Sequence, residues 1–205
     1  WRLNGILQNT LAWTGALAFD EKDTVLIDSI TPIFGCNELQ VWTTRPNDTT
    51  DLNSINDTLY RNCIYVCDSA LSGTYLVGSS GKFSTINDAI TALYNCGING
   101  PVTIAIDSGV YYEYITLTEN IPGSDTVNTI TFTSTTANAA DVVINNNGDG
   151  TENRGTVQLK NTAHLVFSNI TISGRGTAGI TTYTYAKAVE FIENGDNIEI
   201  KNCIL

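Results

Sequence analysis

Apolar residues fall into short, strand-length groups along most of the chain, separated by clusters of Asn, Asp, Gly, Ser and Pro. In residues 1–67 the groups Trp1–Leu7, Leu11–Ala18, Thr24–Ile30, Leu39–Thr44 and Thr58–Val66 predict the strands of an antiparallel sandwich. Alternation is sharpest in Leu39-Gln40-Val41-Trp42, where one face would be buried and the other wet. All three tryptophans lie within the first 42 residues, which marks a small separate core. A linker, Cys67-Asp68-Ser69-Ala70, then leads to a predicted strand over Gly73–Gly78. The chain is accordingly divided into 1–70 and 71–205.

One helix is predicted, from about Ser84 to Asn95. Ser84 is placed at its N-cap, Ile86, Ala89, Ile90 and Leu93 form one stripe, Gly97 ends it and Pro101 blocks continuation. After Pro101 only strands are predicted, without the helical crossovers that side-by-side parallel strands need. Parallel strands can still stack if each turn of the chain returns above its own start, as in a β-solenoid. An internal repeat supports this: Val157-Gln158-Leu159 aligns with Val189-Glu190-Phe191 at an offset of 32. With one inserted residue, Leu165–Ile172 aligns with Ile198–Leu205, which puts Asn169 and Asn202 at the same bend of consecutive coils. Asn tolerates the left-handed backbone of a sharp corner. Stacked Asn side chains are expected to bond from coil to coil, each bond adding about 1 kcal/mol net.

The stretch Ser72-Gly73-Thr74-Tyr75-Leu76-Val77-Gly78, the helix, Gly100-Pro101-Val102-Thr103 and Gly109-Val110-Tyr111-Tyr112-Glu113 resemble the entry to the right-handed β-helix of pectin-lyase-like proteins. The version resembled is common in secreted proteins of the Bacteroidota. The resemblance covers residues 72–205 and implies that the helix caps the open end of the solenoid. Residues 1–70 are similar to the cell-adhesion-related immunoglobulin-like domain of bacterial surface proteins, through Asn4-Gly5, Leu39-Gln40-Val41-Trp42, and Pro46-Asn47-Asp48 through Asn56-Asp57-Thr58. The first one or two strands of that family have no counterpart here; they would lie upstream or come from a neighbouring subunit. The expected fold is all-β, a partial immunoglobulin-like β-sandwich followed by a helix-capped right-handed parallel β-helix.

Composition narrows the roles. A net charge of −11 and a pI near 4.3 argue against nucleic-acid binding, which needs clustered Lys and Arg. No apolar run reaches the roughly 20 residues of a transmembrane helix, and no signal-peptide pattern opens the chain. The absence of Met indicates a mature or excised piece of something longer. Of five cysteines, Cys36 with Cys63 or Cys67 would bridge the first domain, the alternative being small buried thiols. With no Cys-x-x-Cys and only His164, zinc is not expected.

The Bacteroidota resemblance implies O-glycosylation at Asp-Ser/Thr-x sites. Six are present, with acceptors Thr24, Ser29, Thr49, Thr58, Ser69 and Thr126. In the loop 47–57, Asp48, Asp51, Asn53 and Asp57 are candidate calcium ligands, against the reading that Asn and Asp simply make turns. A second loop, 145–152, is a weaker candidate. No other cofactor is expected.

Outward strand positions offer only Ser168, Glu190, Glu199 and Lys201, with His164 and Asp196 at turns. Glycoside hydrolysis requires two facing carboxyls, and none are evident. Glu190 and Glu199 read as solubility residues, and His164 as a solvated turn residue. The sequence therefore points to a non-catalytic segment of a large secreted or outer-surface, adhesin-like protein, acting as spacer and display scaffold, with the enzyme reading disfavoured. Its partners would be neighbouring domains of the same parent or filament subunits, and a glycan or host-surface ligand. The alternative is the N-terminal portion of a β-helix polysaccharide lyase or glycoside hydrolase.

Overall fold

A computed structural model describes residues 1–18, 20–45, 57–146, 154–174 and 187–205. The chain divides into two compact units, Trp1–Asp68 and Ser69–Leu205.

The first unit is one antiparallel sheet of β1 (Arg2–Leu3), β2 (Ile6–Leu7), β3 (Gly35–Trp42) and β4 (Thr58–Val66), in the order β2-β1-β3-β4. Asn4 and Gly5 both take positive φ, 51° and 76°, as the tight β1–β2 hairpin demands. Of the two cysteine pairings considered, Cys36–Cys63 forms across β3 and β4, at a Cα separation of 4.8 Å; Cys203 is the free thiol. Asn37, buried in β3, returns its amide to the carbonyls of Ile33 and Gly35 and accepts from the Asn4 amide. The expected strands Leu11–Ala18 and Thr24–Ile30 do not form. Their apolar side chains stay exposed, and the carboxylates of Asp23 and Asp28 accept the N–H groups of Thr24 and Ser29 instead. Short acidic side chains of this kind compete with a strand ladder. A strand-length apolar pattern also needs an opposing layer, and the described residues of this unit form a single sheet.

The second unit opens with β5 (Leu71–Val77) and the helix α1 (Ile86–Cys96). Thr85, not Ser84, is the N-cap: its hydroxyl accepts from Asp88 N while Asp88 accepts from Thr85 N. The reason is the acidic residue three positions on, which closes the reciprocal box and which Ser84 lacks. Ile86, Ala89, Ile90 and Leu93 are all buried.

The chain then winds over three faces. The first carries β5, β6 (Ile98–Ile106), β9 (Ile130–Ser134) and the later halves of β11 (Gly155–Ser168) and β13 (Lys187–Lys201). The second carries β7 (Gly109–Tyr112), β10 (Val142–Asn145) and β12 (Thr171–Ser173). The third carries β8 (Ile115–Leu117) and the leading halves of β11 and β13. Every pairing is parallel and each turn visits the faces in the same order, which is a parallel β-helix. Inward residues form rows that run from coil to coil. Ile104, Phe132 and Phe167 are one such row, and the two phenyl rings stack at 5.1 Å and 9°.

The register between the last coils is the one that the repeat predicts. Val157 pairs with Val189 and Leu165 with Ile198, and a bulge between Lys160 and Thr162 absorbs the inserted residue. Asn169 and Asn202 are both left-handed, with φ of 53° and 54°. The expected bond between their side chains is not made: the Asn169 amide donates to Thr133 Oγ1 on the coil before, at 3.4 Å. The left-handed corner recurs at His164 and Asn197, with φ of 61° and 48°.

Candidate functional site

On the third face the alternation of the strands turns Ile115 and Leu117, and Val157 and Leu159, inward. Thr116, Gln158 and Glu190 stand outward, in register on three successive coils. Cationic side chains flank this row. The guanidinium of Arg154 lies over the Tyr114 ring, 3.9 Å from its centre, and donates to Thr116 Oγ1 at 2.8 Å. Its buried Nε has no partner. Lys187 Nζ sits 2.6 Å from Glu190, and Lys160 Nζ sits 3.3 Å from Glu193. This face thus gathers three of the ten Lys and Arg residues of an acidic chain.

Glu190 is not the solvated surface charge that its outward position predicts. It accepts from Lys187 Nζ, from Gln158 Nε2 at 2.8 Å and from the Gly155 N–H at 3.0 Å. These bonds, that from Lys187 foremost, hold its carboxyl down at about 2. A carboxylate so engaged is a poor proton acceptor; it fixes the positions of Lys187 and Gln158. The face as a whole can bind a ligand that carries both carboxylates and hydroxyls. Guanidinium and ammonium groups match the former, and the Thr and Gln side chains the latter.

The other predicted residues scatter. Asp48, Asp51, Asn53 and Thr49 lie outside the described residues, as does most of the second loop, and Asp57, half-buried, accepts the Thr43 N–H through its backbone carbonyl. Among the described residues no group of three or more His, Cys, Asp or Glu side chains could hold a metal ion. Thr24, Ser29, Thr58, Ser69 and Thr126 are all exposed. Glu199 pairs with Lys201 at 3.0 Å on the first face. The alignment of Gln158 with Glu190 was readable from the repeat. Arg154, Tyr114 and Lys187 were missed, because no pattern along the chain links residues that only the winding of the coils brings together.

No protein-family model matches the chain. It is 29% identical over 140 residues to proteins named probable pectinesterase A from Aspergillus flavus and from Aspergillus oryzae, an overlap of 66% of this chain. The chain spans 40% of the length of these curated relatives. Among solved structures it matches the pectin methylesterase of Aspergillus niger at 26% identity and a TM-score of 0.41, over 66% of this chain and 43% of that one. The relatives overturn the expectation of a non-catalytic adhesin-like spacer, and with it the leaning against an enzyme: the proteins that this sequence resembles are named as enzymes. The alternative, the N-terminal portion of a β-helix polysaccharide lyase or glycoside hydrolase, fits them better, although the relatives are named as esterases.

Proposed function

We propose that this chain forms the capped coils of a carbohydrate esterase that acts on pectin, and that its third face belongs to the polysaccharide-binding surface. The observation that carries this reading is the outward row Thr116, Gln158 and Glu190 with its flanking Arg154 and Lys187. Lys187 is paired with Glu190 and Lys160 with Glu193, so the positive charge that the face can offer a ligand centres on Arg154, on a chain whose net charge is −11. Pectin is a polyuronate whose carboxyls are partly methyl-esterified, so such a face meets both carboxylates and ring hydroxyls. The similarity to proteins named pectinesterase supports the reaction class. In that reaction water cleaves the methyl ester, leaving a uronate carboxylate and methanol. No described residue is assigned to the bond-breaking step.

The test uses the full-length parent protein on highly methyl-esterified pectin. Release of methanol with the polymer left at its original length is the expected result. Chain scission with unsaturated ends and no methanol would make the protein a lyase and overturn the esterase reading. In the esterase, Arg154→Gln and Lys187→Gln are expected to raise KM several-fold.

For the first unit the reading is an immunoglobulin-like accessory module in an exported protein. The hairpin at Asn4-Gly5 and the Cys36–Cys63 bridge support it, since disulfides persist in oxidising compartments. The exposure of Thr24, Ser29 and Thr58 in this unit, and of Ser69 and Thr126 in the second, supports O-glycosylation of the chain. Intact-mass measurement of native protein that finds only the bare polypeptide would end that part of the reading.

A further inference from the structure

The first face carries a different surface. Where it meets the third, a hollow of about 320 Å³ opens across three coils. Its polar wall is made by Thr126, Thr129, His164, Asn197 and Glu199, and Val166 and Ile198 supply apolar surface. The wall is preformed. Asp125 accepts the N–H groups of Val127 and Asn128, both at 2.7 Å, and the Asn128 amide at 3.1 Å, which fixes the turn that presents Thr126. His164 and Asn197 occupy stacked left-handed corners, and His164 Nδ1 lies 3.4 Å from the Asn197 amide nitrogen.

The charges around the hollow decide what it takes. Glu199 is its one charged lining residue, and the turn behind Thr126 carries Asp125. The nearest cation to Glu199, Lys201, is paired with it at 3.0 Å and does not line the hollow. A uronate would meet the Glu199 carboxylate, with Asp125 behind the wall and no lysine or arginine in the lining, whereas the third face offers the Arg154 guanidinium. An uncharged ring with several hydroxyls meets two threonine hydroxyls, an imidazole, an amide and a carboxylate, with aliphatic surface for its C–H face. Small-molecule sites span about 300–1,000 Å³, so this one is the size of about one or two sugar rings.

We infer that the hollow is a binding subsite for neutral sugar units, distinct from the third face and without a reaction of its own. It would let one molecule hold uncharged segments of a polysaccharide while the third face holds acidic ones. The inference stands apart from the esterase reading, since binding here requires no ester cleavage.

The test is a titration of the ¹⁵N-labelled full chain with a neutral galactose oligosaccharide and, separately, with a galacturonic acid oligosaccharide of equal length. The neutral ligand is expected to shift the amide signals of Thr126, Thr129, His164 and Asn197, while the acidic one leaves them in place. Thr129→Val and His164→Asn, the latter keeping a residue that tolerates the left-handed corner, are each expected to weaken binding about tenfold with the remaining spectrum unchanged. Val166→Trp, which fills the hollow from an outward position, is expected to abolish it. Equal or stronger shifts of the same signals by the acidic oligosaccharide would overturn the assignment. So would neutral-ligand shifts that map elsewhere, or none at all.

Discussion

Replacing Glu113 by alanine removes the group that completes the N-terminus of α1. The first N–H groups of a helix have no partner within it. Here the capping box satisfies those of Thr85 and Asp88, and Ala89 N reaches Thr85 O at 3.4 Å. The two left over, Ile86 N and Asn87 N, donate to the Glu113 carboxylate at 3.1 and 2.9 Å, and the Asn87 side chain adds a third bond at 2.8 Å. Glu113 follows β7 on the first full coil, so this one side chain ties the cap to the coil beneath it. Stranding a partly buried donor costs about 1–3 kcal/mol, and loss of a negative charge at a helix N-terminus about 0.3–1 kcal/mol. Water re-entry offsets part of this, so Glu113→Ala should destabilise by about 3 kcal/mol and Glu113→Gln, which keeps one acceptor, by about 1–2 kcal/mol. The assay is hydrogen exchange of α1 resolved by residue, alongside urea unfolding. Ile86 and Asn87 should lose protection first and Asp88, held by Thr85, later. Unchanged protection at Ile86 and Asn87 in the alanine variant would refute the reasoning.

Three further outcomes follow from the same structure. Phe167→Ala, which empties half of the stacked pair in the core, should cost about 3–5 kcal/mol in urea unfolding, whereas Val166→Ala on the outward side should cost less than about 1 kcal/mol. Gly123→Ala should destabilise by about 2 kcal/mol or more, read as a lowered Tm, because φ there is +86° and an added Cβ would fall 2.0 Å from Ile98 O. Glu190 has a carboxyl lowered to about 2 from 4.5. The stability it lends is therefore fully present above pH 4.5 and is lost as pH falls from there through about 2. That contribution is at most about 3 kcal/mol, reduced by the 18% exposure of the side chain. The gap in urea midpoint between the wild type and Glu190→Gln should close across that window, and a constant gap would contradict the assignment.

The parallel coils were legible because stacking forces inward apolar residues to recur once per turn. Phe167 and Ile200 align in sequence for the same reason that they pair in space. The helix was legible from its stripe, but its start slipped by one residue, since both Ser84 and Thr85 are good caps and only the bond to Asp88 separates them. Leu11–Ala18 and Thr24–Ile30 have the composition of strands, yet pairing depends on a partner elsewhere in the chain, and local composition carries no record of one. The third face was hardest to read. Arg154 and Tyr114 stand 40 positions apart in sequence, and neither lies within a strand. The leaning against an enzyme arose from reading the lack of facing carboxyls in this stretch as a lack of catalysis, although the chain spans 40% of the length of its curated relatives.

The coil register is what places the third-face row and the first-face hollow, and nuclear Overhauser contacts between the last two coils test it most directly. The account predicts contacts between Val157 and Val189, Leu165 and Ile198, and Phe167 and Ile200, the two sequence numbers rising together, and a further contact from Phe167 to Phe132. Contacts in which one number rises as the other falls would reveal hairpins, and neither surface would then exist.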